Sequence, residues 1–221
     1  LLAQLPEGLI RINHWLLYWQ GMATIAFDPS SSLQYFESAF SLSAEKQDNY
    51  CKLLSFAGIL DSVFYEGKEF KKFDKWLDKL DPIWSEIEAC TDTKIQFKVI
   101  DSVVTALNLR RPQYPDIDFW IEHFLAQQVS RQSHGIVSFA FCQIAWFLSA
   151  HRADYAKSLV LIDNSKNLGE KHPISPVLIL HQSVTEAAIY SLNGNRKKCS
   201  QVIDKALQLS DESGVRLFDF M

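Results

Sequence analysis

Ala187-Ala188-Ile189-Tyr190-Ser191-Leu192-Asn193-Gly194-Asn195, followed by Cys199-Ser200-Gln201-Val202-Ile203-Asp204-Lys205-Ala206-Leu207, decides the fold class. The first run is apolar, as a helix packed on several sides requires. Asn193-Gly194-Asn195 supplies residues that tolerate the left-handed backbone of a tight turn. The second run places Cys199, Ile203 and Ala206 at steps of four and three, one face of an amphipathic helix. Looser copies of this hairpin turn near Asp28, Gly67, Pro112 and Arg152, at intervals of about 40 residues. A hairpin cannot bury its apolar face alone, so each leans on the next. The expectation is an all-α chain, an α-α superhelix formed as a right-handed array of about five antiparallel helical hairpins in one helical-repeat domain over 1–221. Stacks of this kind bind partners rather than transform them.

The hairpins follow from local signals. The first pairs Leu9–Ala26 with Pro29–Ala44, where Asp28 caps the free amides and Pro29 loses no needed donor. Leu33, Phe36, Ala39 and Phe40 then share a face. The second pairs Asn49–Glu66 with Lys68–Ala89, with Gly67 at the helix end. Phe70, Phe73, Leu77, Leu80, Trp84 and Ile87 form an apolar seam read as core, and Pro82 implies a kink or two short helices. The third pairs Thr93–Arg110 with Asp116–Arg131. The fourth pairs Ser133–His151 with Ala153–Leu168, closed by Gly169. The fifth pairs Ser175–Asn193 with Asn195–Ser213, closed by Gly214. Asp61-Ser62-Val63 and Asp101-Ser102-Val103 recur, but at different distances from the turns that follow them. They therefore do not occupy one structural position.

Composition narrows the function classes. Hydrophobic residues are 48% and charged residues 22% of the 221, so the chain can fill a core and is not of disordered type. A net charge of −4 argues against bulk phosphate neutralisation, and no direct nucleic-acid contact is expected. No uncharged run is long enough for a bilayer, and Ile136 to Ala150 reads as a helix buried on most sides. Cys51, Cys90, Cys142 and Cys199 form no Cys-x-x-Cys pair. As free thiols they suit a reducing, cytoplasmic location. Trp19, Trp76, Trp120 and Trp146 read mostly as core. The chain starts Leu1-Leu2 without Met and ends on an apolar run with Phe218 and Phe220. It is read as a fragment of a larger protein, with a C-terminal edge open to homo-oligomerisation.

The second helix of the first hairpin, Ser32-Leu33-Gln34-Tyr35-Phe36-Glu37-Ser38-Ala39-Phe40-Ser41-Leu42, resembles the second helix of a tetratricopeptide repeat. Asn193-Gly194-Asn195 with Cys199, Ile203 and Ala206 resembles the same repeat's turn and second helix. The first helices lack the repeat's Trp…Leu-Gly…Tyr series, and the period is longer. Trp15-Leu16-Leu17-Tyr18-Trp19-Gln20-Gly21, Phe27-Asp28-Pro29 and Ser213-Gly214-Val215-Arg216-Leu217 are similar to the helical sensor region of MalT-like, LuxR-type bacterial transcriptional regulators. There the region sits between a nucleotide-binding module and a helix-turn-helix DNA reader, neither of which is present in these residues. The resemblance implies a non-catalytic segment that receives a signal from a protein or small-molecule effector. It also implies that first helices line the concave side.

The chemistry-bearing residues are sparse. Phosphate-binding glycine loops, nucleophile elbows and His-Glu-x-x-His helices are absent, so no cofactor, metal or catalytic residue is expected. His14, His123, His134, His151, His172 and His181 never pair at ligand spacing and read as surface or satisfied residues. Asp61 and Asp101 interrupt apolar helices. They read either as groove carboxylates awaiting a cationic ligand or, more plainly, as a face turned to water. Gln143 and Glu186 allow the same two readings, and Gln143 needs partners if buried. Arg110-Arg111 and Arg196-Lys197-Lys198 read as helix-end and solvated charges. Two rival roles remain: an adaptor gripping a peptide or protein, and an all-helical enzyme using Asp61, Asp101 and Glu186 with a nearby His.

Overall fold

A computed structural model describes residues 6–126 and 134–215, and every regular element among them is helical. The chain is all-α, as the hairpin pattern requires. Phe218, Phe220 and the expected C-terminal edge lie outside the described residues, as does the end of the third hairpin's second helix. The chain divides into two compact units, Leu1–Gln127 and Gln128–Met221.

In the first unit the helices are α1 (Glu7–Arg11), α2 (His14–Thr24), α3 (Pro29–Glu45), α4 (Asn49–Glu66), α5 (Asp74–Leu77), α6 (Leu80–Ala89), α7 (Thr93–Arg110) and α8 (Ile117–Ala126). A 3-10 turn over Phe70–Phe73 precedes α5. The expected first helix, Leu9–Ala26, is split. Asn13 adopts extended backbone and accepts from the amides of Trp15 and Leu16 at 3.0 and 3.2 Å, which starts a new helix at His14. Asp28, Asp48 and Asp92 start α3, α4 and α7 in the same way. Gly67 ends α4 at φ 62°, in the left-handed region where a Cβ is penalised. The helix expected over Lys68–Ala89 breaks ahead of Pro82. The proline ring excludes the carbonyl of Asp78 from a helical bond, so Asp78 closes α5 and Pro82 falls in the first turn of α6, where no donor is needed.

The seam behaves as core. Phe73, Leu77, Leu80 and Ile87 are buried, while Phe70 and Trp84 are half-buried. Phe36 and Ala39 are fully buried, and the Phe36 ring fills a slot made by two glycines. A Cβ on Gly21 of α2 would lie 2.8 Å from that ring, and one on Gly58 of α4 would lie 2.6 Å away. Burial of such a ring stabilises by about 1.5–3 kcal/mol, and the glycines let three helices converge on it. Arg110 and Arg111 are not free charges, although Arg110 stays exposed. Both pair with Asp74, and Arg111 also reaches Asp78 at 2.8 Å, tying α5 to the end of α7.

The second unit holds α9 (His134–Arg152), α10 (Tyr155–Lys171), α11 (Pro176–Leu192) and α12 (Arg196–Ser213). Helix α9 is buried along most of its length, as its apolar run demands. Gly169 does not close α10, which continues to Lys171. A Cβ there would meet the Ile174 side chain at 2.6 Å, so the glycine serves a close approach instead. Ser175 caps α11 with Pro176 in its first turn, and Gly214 closes α12 at φ 71°. Only Ser210 of α12 is buried, and Ile203 and Leu207 are exposed.

Candidate functional site

Within each unit the first helices of successive hairpins pack side by side. Helix α2 lies against α4 and α4 against α7, and in the second unit α9 lies against α11. Both carboxylates singled out in the first unit sit in this layer, and the fold brings them to one cation. Asp61 Oδ2 on α4 lies 2.5 Å from Lys98 Nζ on α7. Ser102 Oγ donates to Asp61 Oδ1 at 2.8 Å. Asp101 follows Lys98 by three residues, which places both on the same side of α7. The reading of Asp61 and Asp101 as a face turned to water is therefore corrected. Asp101 is only 8% exposed, and Asp61 is half-buried and paired.

Electrostatics ties the group together. Burial drives the Asp101 carboxyl up to about 7, with Asp61 adding to the shift and Lys98 opposing it. Burial alone would pull the Lys98 ammonium down, but Asp61 and Asp101 outweigh it and its pKa rises. Tyr65 on α4 is raised by burial first, then by Asp61, against Lys98. Tyr18 on α2 is raised by burial as well, with Lys98 opposing and Asp61 adding to the shift. A cluster of two carboxylates, one ammonium and two phenols thus spans three consecutive first helices.

Aromatic surface accompanies this layer. Trp19 of α2 is 52% exposed and Tyr65 of α4 is 60% exposed. Trp146 of α9 is 37% exposed, so the expectation that the tryptophans are core holds for Trp76 and Trp120 but not for Trp19 and Trp146. Two surface depressions are lined by other residues, one by Asp48, Tyr50, Glu86 and Cys90, the other by Glu37, Phe40, Trp76 and Lys79.

Gln143 and Glu186 belong to the second unit. Gln143 is buried within α9. Glu186 on α11 is buried and pairs with Lys166 of α10 at 2.6 Å, so its water-facing reading is also corrected. Nearby, Gln182 Nε2 donates to Ser138 Oγ and Ser165 Oγ, both at 2.8 Å, which stitches α9, α10 and α11. His181 stacks on Phe139 with ring centroids 4.8 Å apart, and burial lowers its pKa to about 4. His14 is satisfied on one ring nitrogen: its Nε2 and the Trp15 indole both meet Asp48 Oδ2, at 2.9 and 2.8 Å, while Asp48 caps α4 and His14 Nδ1 is buried without a partner among the described residues. Among the described residues no three His, Cys, Asp or Glu side chains converge as a metal would need.

Lys98, Tyr18, Tyr65 and Ser102 were not singled out by sequence reasoning. The Lys98-x-x-Asp101 spacing was the available signal, since it puts opposite charges on one helical face inside an apolar run. Comparison with protein-family models, with curated proteins and with solved structures finds no match to this chain.

Proposed function

We propose that this chain is a non-catalytic helical-repeat binding region that senses a protein or small-molecule effector through the layer of first helices. One observation carries the reading: the side-by-side first helices α4 and α7 are joined through Asp61, Lys98 and Ser102, and Tyr18 of α2, Tyr65 of α4 and Asp101 of α7 are electrostatically linked to that pair. In tetratricopeptide-like superhelices that layer lines the concave side, and a ligand bridging neighbouring hairpins changes their relative angle. The resemblance to MalT-like sensor regions supports a place in a cytoplasmic bacterial transcriptional or signalling regulator, with the DNA reader on another segment. No helix among the described residues is long and apolar enough to cross a membrane.

The exposed rings of Trp19 and Tyr65 supply contact area, and the charged cluster supplies orientation. The test is a saturation-transfer NMR screen of pooled metabolites and short peptides against wild type, Tyr65→Ala and Phe27→Ala. Phe27, 89% exposed between α2 and α3, is the control for a ring outside the layer. The reading expects a ligand whose signal falls at least about ten-fold with Tyr65→Ala and persists with Phe27→Ala, about 1.4 kcal/mol of contact. A ligand indifferent to Tyr65, or no saturable ligand at all, contradicts it.

A specific observation favours one second reading. A carboxyl poised near neutrality beside a lysine is what a general base needs, so Asp101 with Lys98 is where an all-helical enzyme would work. Turnover of any pooled compound, abolished in Asp101→Asn, would establish that reading in place of the binding one.

A further inference from the structure

We propose that the depression lined by α3 and α5 binds a carboxylate carried on an apolar chain, with the Lys79 ammonium as its anchor. The site belongs to the second helices of the first two hairpins. Its ligand is distinct from the effector of the first-helix layer, so the inference goes beyond the binding role above.

Ring contacts build the site. Phe40 of α3 and Trp76 of α5 meet edge to face, with centroids 5.2 Å apart and planes at 83°. Phe56 of α4 backs Trp76 at 6.2 Å. Lys79, between α5 and α6, holds its Nζ 4.4 Å from the Trp76 centroid and 5.4 Å from that of Phe40. Two rings hold one ammonium, which restrains an otherwise flexible side chain. A cation placed in advance loses less freedom when an anion arrives.

Lys79 differs from the lysines around it in having no counter-ion. Lys75 Nζ, 4.9 Å over the Trp76 ring, pairs with Glu37 at 2.9 Å. Lys52, 5.7 Å over the Phe40 ring, pairs with Glu86. The carboxylate next to Lys79 in the chain, Asp78, is taken by Arg111 at 2.8 Å. No carboxylate among the described residues lies within ion-pair reach of Lys79. The lysine is half-buried and lines a depression of about 580 Å³. That volume lies in the range of about 300–1,000 Å³ typical of small-molecule sites.

Charge and donors select the ligand. Of the charged side chains lining the depression, Lys75 and Lys79 against Glu37 leave +1. A monoanion cancels that charge, a phosphate dianion overshoots it beside Glu37, and a cation adds to it. Ser38 and Ser41 also line the depression, but their hydroxyls donate to their own helix, to the carbonyls of Gln34 and Glu37 at 2.8 and 3.0 Å. The donors left for a ligand are the Lys79 ammonium and the exposed Gln34 amide, enough for the two oxygens of a carboxylate. Half-buried Phe40 supplies apolar contact for the chain that carries it.

A free carboxylic acid and a glutamate side chain of a peptide carry the same chemistry, and the test has an arm for each. The full chain, 15N-labelled at tryptophan, is titrated with 3-phenylpropionate and with N-acetylglutamic acid α-amide while the Trp76 indole N–H is followed. The neutral isosteres 3-phenylpropanamide and N-acetylglutamine amide are the controls, and phenyl phosphate represents the phosphates. At least one carboxylate should shift the Trp76 signal saturably, about five-fold or more tighter than its amide, and the tighter arm names the source. Binding should weaken as salt rises, because the anchor is partly exposed. Lys79→Met keeps an unbranched chain beside the rings and should erase the preference over the amide. Lys71→Met, at an exposed lysine outside the depression, should leave that preference intact. Glu37→Gln releases Lys75 and should tighten carboxylate binding about two- to five-fold. Equal response to carboxylates and amides in the wild-type chain overturns the proposal without any variant. So does tighter wild-type binding of phenyl phosphate, or a carboxylate preference that survives Lys79→Met. Its failure leaves the first-helix reading standing, since Tyr65 lines no part of the depression.

Discussion

Gly58→Ala is the sharpest test of how the first unit is packed. Glycine inside an exposed helix normally costs about 1 kcal/mol relative to alanine, so the substitution should stabilise a free helix. Here a methyl would sit 2.6 Å from the fully buried Phe36 ring, and the same ring atoms are closely approached by Gly21, where a Cβ would lie at 2.8 Å. Overpacking of this kind costs about 1–3 kcal/mol, which offsets the helix gain and leaves a net loss of about 0–2 kcal/mol where a free helix would gain. The cause is then isolated in a cycle. Phe36→Ala alone should cost about 3–5 kcal/mol, since the ring is fully buried. With the ring gone, the methyl at residue 58 has room, and Gly58→Ala should become neutral or stabilising by up to about 1 kcal/mol. Urea unfolding followed by tryptophan fluorescence suits the measurement. Trp15, Trp19, Trp76, Trp84 and Trp120 all lie in the first unit and only Trp146 lies in the second. If Gly58→Ala destabilises equally with and without Phe36, the slot is not what requires glycine and the reasoning is wrong.

Other expectations concern charges and caps. Asp101 has a folded pKa raised to about 7 from 3.8, so its contribution is fully present below about pH 4 and is lost as pH rises through about 7. Asp101→Asn should remove that decline, on the order of 2–4 kcal/mol, when the two stability–pH profiles are subtracted. His181 has the opposite sign: its folded pKa is lowered to about 4 from 6.5, so stability present above about pH 6.5 is lost as pH falls through about 4. His181→Phe, which keeps a ring against Phe139, should flatten that acid limb by on the order of 2–3 kcal/mol; a profile parallel to wild type contradicts the assignment. Asp48→Ala removes the α4 cap and the acceptor for Trp15 and His14, and thermal unfolding should report a loss of about 2–4 kcal/mol. A loss no larger than that of an exposed cap would mean the Trp15 bond contributes nothing.

The sequence carried the helices well wherever a local signal acted alone. Asp28-Pro29, Ser175-Pro176, Gly67 and Gly214 set helix ends by cap chemistry and left-handed backbone, and each stands where those signals put it. Tertiary packing decided the exceptions. Gly169 looked like a terminator, yet its lack of a side chain accommodates Ile174 within the last turn of α10. The candidate site was half legible. Asp61 and Asp101 stood out as charges in apolar helices, and both are in the cluster. Their shared Asp-Ser-Val phrase suggested equivalence that the register denies, since Asp61 reaches Ser102 rather than matching Asp101. Lys98 passed unnoticed because a lysine near a helix start is normally solvated, and only the side-by-side packing of α4 and α7 gives it a buried partner. The pairing of two distant helices leaves no trace in a single sequence.

The claim that the first-helix layer of the leading unit is the binding face is tested most directly by amide chemical-shift mapping of the 15N-labelled full chain with a saturating ligand. The account predicts the largest shifts around Tyr18 and Trp19 on α2, Asp61 and Tyr65 on α4, and Lys98 and Asp101 on α7, with α3 and α6 little changed. Shifts centred on α3 and α6, with those six positions unmoved, would contradict it.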